Sequence, residues 1–153
     1  MQILTFATIA VSILGLLVFL WMRRGKDRDD LERHSITAEA LYSLITAKQE
    51  LVIFDVRQPL DLLAYPEIIP SAKRIPPDEV LAMPSLIPRE MYAVVYCTCP
   101  SDKTSRIVLR QLLDLRFLRV KFLKGGLEAW KTNGYPVEPY KESFHLYAST
   151  SKV

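Results

Sequence analysis

Ile3 to Met22 reads ILTFATIAVSILGLLVFLWM, an apolar run without a charge, relieved only by Thr5, Thr8, Ser12 and Gly15. This stretch divides the chain. About twenty such residues cross a bilayer core as a helix. A helix packed on a globular domain would keep one polar face, and this run has none. A signal peptide calls for a charged start, a shorter apolar stretch and a small-residue cleavage site. Met1-Gln2 carries no side-chain charge, and the run ends in Leu20-Trp21-Met22. The expectation is one uncleaved transmembrane anchor, residues 1–22, with the Trp21 ring at the headgroup level. Arg23, Arg24, Lys26 and Arg28 follow directly. By the positive-inside rule they keep the rest of the chain in the cytoplasm, as a single-pass membrane protein. The cytoplasm is reducing, so the chain's two cysteines are expected as thiols.

Residues 23–34, RRGKDRDDLERH, are too charged for a core and read as a juxtamembrane linker able to touch anionic lipid. His34 reads as a solvated linker residue. The domain proper is expected over residues 35–139, with a peripheral tail over 140–153. Across the 153 residues the net charge is only +3, and no basic stripe is interleaved with aromatics, so nucleic acid is not an expected partner.

Within the domain, short apolar runs alternate with helical patterns. Thr37 is a good N-cap for a helix over Ala38 to Lys48, with Ala40, Leu41, Leu44 and Ile45 as its apolar stripe. Leu51 to Val56 (LVIFDV) and Ala93 to Tyr96 read as strands buried on both faces. Five prolines keep Gln58 to Pro77 mostly irregular, with a short strand at Lys73 to Ile75 and a brief helix over Asp78 to Met83. A helix over Arg106 to Leu115, a strand over Val120 to Leu123, a turn at Lys124-Gly125-Gly126 and a helix over Leu127 to Thr132 complete the pattern, with Gly134 as the last helix's stop. The alternation predicts an α/β fold: a parallel sheet flanked by helices.

The chemistry concentrates at Ala93 to Ser105, AVVYCTCPSDKTS. An apolar strand delivers Cys97 into a small polar loop, and a helix follows. That order sets a thiol beneath a helix N-terminus, whose N–H groups and dipole favour an anion, either a thiolate or an incoming oxyanion. The other reading of Cys97 and Cys99 is a pair of small buried hydrophobes. One Cys-x-Cys with no histidine beside it cannot fill a tetrahedral zinc site, so no metal or other cofactor is expected.

Four motifs in order resemble the rhodanese-like domain family. They are Phe54-Asp55-Val56-Arg57, Ile69-Pro70-Ser71-Ala72, Val95-Tyr96-Cys97, and Leu123-Lys124-Gly125-Gly126-Leu127-Glu128-Ala129-Trp130 with Gly134-Tyr135-Pro136-Val137. The resemblance runs from about Ile36 to Glu138. It implies a sulfurtransferase: sulfane sulfur moves from a small-molecule donor such as thiosulfate onto a cysteine as a persulfide, then to a thiol or cyanide acceptor. It makes Cys97, directly after the strand, the sulfur carrier.

The loop departs from the family pattern Cys-x-x-Gly-x-Arg-Ser, lacking both the Gly and the Arg and running longer. Ile68-Ile69-Pro70 departs likewise where the family often has Gly-His-Ile-Pro. Counting from Cys97 puts Thr104 at the helix-starting Ser; counting from Cys99 puts Ser105 there. Pro100 suits a turn better than a strand end, which favours Cys97. Cys99 is then a second thiol able to discharge the persulfide or form a labile disulfide. Lys103, Thr104 and Ser105 are the candidate substrate-binding residues, Lys103 supplying a point charge without the fork geometry of Arg. Asp102 partly opposes it. Asp55 and Arg57 read as a fold-holding pair near the loop, and Trp130 as core. Two other functions stay open: a catalytically silent rhodanese-like module binding a protein partner at the membrane, and an oxyanion enzyme of the phosphatase or arsenate-reductase kind. The Cys97–Lys103 spacing only loosely imitates the Cys-x5-Arg of the latter, and bidentate oxyanion binding is lost without Arg.

Overall fold

The computed structural model describes residues 13–22, 31–98 and 102–141. The chain forms two compact units, Met1–Arg33 and His34–Val153. In the first, residues 13–22 are helical with exposed side chains. Ten residues reach about 15 Å at about 1.5 Å each, half of a bilayer core of about 30 Å. No helix among the described residues is long and apolar enough to cross a membrane. The first half of the expected span, residues 3–12, and most of the basic linker lie outside the described residues.

The second unit is built on five parallel strands in the order β1-β6-β5-β2-β4. These are β1 (Ser35–Ile36), β2 (Leu51–Asp55), β4 (Lys73–Arg74), β5 (Tyr92–Tyr96) and β6 (Val120–Leu123). A two-stranded antiparallel pair joins β3 (Glu67–Ile68) to β7 (Glu138–Pro139). The helices are α1 (Ala38–Thr46), α2 (Pro59–Ala64), α3 (Pro77–Ala82), α4 (Lys103–Asp114) and α5 (Gly126–Thr132), with a 3-10 turn at Pro84–Leu86. Central β5 pairs with β2 from Leu51↔Tyr92 to Asp55↔Tyr96, so both strands end level. Residues 93–96 are all buried because helices cover both faces of the sheet. On one face Val94 and Tyr96 pack with Leu41 of α1 and Leu127 and Trp130 of α5. The alternate residues Ala93 and Val95 point to the other face, where α4 packs on β5 and β6.

The helix caps follow local chemistry. Thr37 Oγ1 accepts from Ala40 N at 3.2 Å, as expected of an N-cap. The α1 helix stops two residues short of Lys48, whose φ of +54° turns the chain away. The segment expected to be mostly irregular holds α2, and the proline count misled for a physical reason. Pro59 and Pro77 each stand at a helix start, where their missing N–H leaves no bond unmade. The cysteine-loop helix begins three residues before the expected Arg106, at Lys103. Val137 is followed by β7, which the sequence pattern did not suggest because its partner β3 lies about seventy residues earlier.

Candidate active site

β2 and β5 end side by side, and the polar residues that follow them meet at that edge. Asp55 and Arg57 are fully buried. Arg57 Nε donates to both Asp55 carboxylate oxygens at 2.9 Å, and its Nη2 donates to Oδ2. The remaining guanidinium donors reach the carbonyls of Tyr65 (2.8 Å) and Glu67 (2.7 Å). The Tyr96 hydroxyl donates to Asp55 Oδ2 at 3.3 Å and accepts from Ile69 N at 3.2 Å. Burial, with the Asp55 carboxylate beside it, pushes the Tyr96 phenol well above its ordinary pKa. A buried charge pair stands only when its other donors and acceptors are satisfied, and here they tie the 65–69 segment to the residue before Cys97.

Cys97 is a buried thiol, 1% exposed, at the carboxyl end of β5. Its carbonyl accepts from Leu127 N at 3.0 Å. Asp102, buried and at φ +55°, precedes α4, and its Oδ2 accepts from Gly125 N at 2.9 Å. The turn Gly125-Gly126-Leu127 thus holds the cysteine loop at both ends, through Cys97 and through Asp102. Glycine is required between those two bonds. At Gly126 (φ +52°) a Cβ would lie 1.9 Å from the Cys97 carbonyl oxygen and 3.6 Å from Asp102 Oδ1. The sequence suggested only a tight turn here; its engagement with the loop became visible through the fold.

The first turn of α4 carries the other candidates. Lys103 is exposed, Thr104 half-buried and Ser105 fully buried. The Ser105 Oγ has no hydrogen-bond partner among the described residues. Cys99 and Pro100 lie outside the described residues. No group of histidines, cysteines and carboxylates able to hold a metal occurs among the described residues.

A cleft of about 230 Å³ is lined by Tyr65, Thr98, Leu127, Glu128, Lys131 and Thr132, of which Thr98 follows Cys97 in the chain. Arg57 holds the backbone of Tyr65, and the Leu127 N–H holds the Cys97 carbonyl, so each hydrogen-bonded system fixes one residue of the lining. Lys131 pairs with Glu67 Oε2 at its rim. Sequence reading missed Tyr65, Thr98, Glu128, Lys131 and Thr132. No motif marks them, and they come together only in the fold, from residue 65, residue 98 and the α5 helix.

The rhodanese-like domain family model matches residues 37–133. The chain belongs to the rhodanese-like family. A sulfurtransferase of Allochromatium vinosum is 27% identical over 104 residues, 68% of this chain and 94% of that protein. The crystal structure of a rhodanese-related protein from Thermoplasma volcanium superposes with a TM-score of 0.57 at 28% identity, covering 69% of this chain and 97% of that one. The crystal structure of a thiosulfate sulfurtransferase from Pseudomonas aeruginosa gives 0.61 at 28% identity, over 75% of this chain and 22% of that one. The α/β fold, with its parallel sheet flanked by helices, is the rhodanese-like fold, and these relatives make the family one of sulfurtransferase type.

Proposed function

We propose that this chain is a sulfurtransferase that carries sulfane sulfur on Cys97. The observation that carries this reading is the double tether of the cysteine loop by Gly125-Gly126-Leu127, which fixes Cys97 at the strand end. The Cys97 thiolate attacks the outer sulfur of a donor such as thiosulfate. The sulfur–sulfur bond of the donor breaks, sulfite leaves with the bonding pair, and Cys97 is left as a persulfide anion. Donors at the start of α4, including the buried Ser105 hydroxyl, suit stabilisation of that anion. A thiol or cyanide acceptor then removes the outer sulfur and restores the thiolate. Cys99, two residues on, is the nearest thiol in sequence for a competing internal discharge.

The reading includes a membrane address. Ile3–Met22 anchors the chain, and Arg23, Arg24, Lys26 and Arg28 keep the domain on the cytoplasmic side; the uncharged apolar run and its basic flank support this. Carbonate extraction and protease protection of membranes carrying the full chain test it. Retention in the membrane pellet, with the domain digested from the cytoplasmic side only, is expected; release into the supernatant refutes the anchor.

Thiosulfate:cyanide turnover by the full chain and its cysteine variants tests the enzyme. Cys97→Ser is expected to abolish transfer and Cys99→Ser to keep at least part of it. The reverse pattern moves the carrier to Cys99. Burial of Cys97 at 1% exposure favours a second reading, a silent module that binds a partner at the membrane, since inert structural cysteines are the buried ones. Turnover by neither the native chain nor Cys99→Ser, with several donors, selects that reading.

A further inference from the structure

The edge of the sheet opposite Cys97 is both apolar and basic at its surface. β5 and β6 begin there, at Tyr92 and Val120, and the segments leading into them, 86–91 and 114–119, are laced together. Arg89 Nη1 donates to the Leu115 carbonyl at 3.0 Å, and its guanidinium lies 4.0 Å over the Phe117 ring. Arg119 Nη1 donates to the Glu90 carbonyl at 2.7 Å, and its own carbonyl accepts from Ala93 N at 2.9 Å. The apolar side chains beside these bonds stay outside: Leu118 is 71% exposed, Leu86 and Leu115 41% and Met91 39%. A single exposed leucine needs no explanation. Four apolar residues on two joined segments, interleaved with exposed Arg89, Arg116 and Arg119, form a surface of the kind that suits lipid headgroups. Against those three arginines stand two carboxylates, Glu90 and Asp114, so the segments carry one net positive charge.

The path of the chain selects the occupant. It enters this unit at His34, whose carbonyl accepts from Phe122 N at 2.9 Å, and β1 then runs parallel to β6. Entry is therefore from the side on which β6 begins. Cys97 lies at the other end of β5, six residue steps or about 20 Å from Met91. Eleven residues, Arg23 to Arg33, join the apolar run to this entry, and fully extended they reach at most about 40 Å. A tether of that length makes docking an intramolecular step, so a surface too small to hold a free protein on a bilayer suffices. The exposed Leu60 and Leu63 of α2 lack these features: residues 58–66 carry no cation and follow β2 at the Cys97 edge.

We propose that segments 86–91 and 114–119 dock on the anionic lipid surface of the membrane that holds the chain. The arginines, each with five N–H donors, meet lipid phosphates, and Leu118 and Met91 enter the headgroup layer. The Cys97 edge is left turned away from the lipid, open to solutes. This rests on the membrane address proposed above and adds to it the face that the domain presents.

The test reconstitutes the full chain in vesicles of phosphatidylcholine alone, or of equal parts phosphatidylcholine and phosphatidylglycerol. Hydroxyl-radical oxidation is then read residue by residue by peptide mass spectrometry. One net positive charge near an anionic surface changes the ratio of docked to free domain about fivefold. Met91, Leu115 and Leu118 are therefore expected to be oxidised about three- to fivefold more slowly in the anionic vesicles, relative to exposed Tyr65 at the Cys97 edge. Leu118→Asp, at an exposed position, is expected to remove the protection of Met91; protection that survives it overturns the proposal. Protection of Leu60 and Tyr65 in place of the patch reverses the orientation and likewise overturns it. Protection equal in both lipids and growing with protein density assigns the face to a second copy of the chain, against lipid docking. Carbonate extraction of the same vesicles separates the two readings. Retention with equal oxidation in both lipids overturns docking alone, whereas release of the chain overturns the membrane address and the tether on which docking depends.

Discussion

Replacing Gly126 by alanine probes the contact on which the active-site geometry rests, and Gly134→Ala supplies the control. Both glycines are left-handed, at φ +52° and +73°. Either alanine incurs about 1–2 kcal/mol of backbone strain, partly offset by about 0.4–1 kcal/mol from a less flexible unfolded chain. Nothing lies within 4 Å of a Cβ at Gly134, so that variant should lose only about 1 kcal/mol. At Gly126 the new Cβ would stand 1.9 Å from the Cys97 carbonyl oxygen, a distance that forces one backbone away from the other. The 3.0 Å bond from Leu127 N to that carbonyl is then lost, leaving a buried acceptor unsatisfied at about 1–3 kcal/mol. Gly126→Ala should therefore lose about 2–4 kcal/mol in all. Urea unfolding of both variants gives the stabilities, and sulfur transfer at a temperature where both remain folded gives the function. Equal losses, or an active Gly126→Ala, refute the claim that this glycine lets the turn hold the cysteine loop.

Three further outcomes follow from the same geometry. Asp55→Asn leaves the Arg57 guanidinium buried without its counter-charge and should lose about 3–5 kcal/mol by denaturant titration; a loss below about 1 kcal/mol contradicts the satisfied-pair description. Because the folded Tyr96 phenol is held protonated above its ordinary pKa of 10.0, its contribution is complete below pH 10 and shrinks as pH rises past it. The decline is about 1.4 kcal/mol per pH unit for this one proton, and Tyr96→Phe should remove that share of the slope in alkaline unfolding curves. Ser105→Ala, at a buried hydroxyl with no partner among the described residues, should cost little stability yet lower sulfur transfer; unchanged turnover would deny Ser105 a role toward the persulfide.

The sheet was legible because its strands announce themselves. LVIFDV and AVVY are apolar on successive residues, which only a two-sided burial explains, and they became β2 and the core of β5. The glycine pair at 125–126 and the N-cap at Thr37 were legible for the same kind of reason, a local backbone need met by a residue type. Long-range assembly was not. Tyr96 reads as one more strand aromatic, yet its hydroxyl joins Asp55 to the Ile69 amide. Asp102 reads as a counter-charge to Lys103, yet its carboxylate closes the loop on Gly125 across twenty-three residues. The cleft drew on three separate segments and left no periodicity in any of them.

The most direct test of sulfur transfer on Cys97 is to find the sulfur. The full chain, treated with thiosulfate, blocked with an alkylating reagent and digested, is examined by peptide mass spectrometry. One added sulfur on Cys97, absent from Cys97→Ser, is the predicted result. An added sulfur on Cys99 alone, or on neither cysteine with several donors, contradicts it.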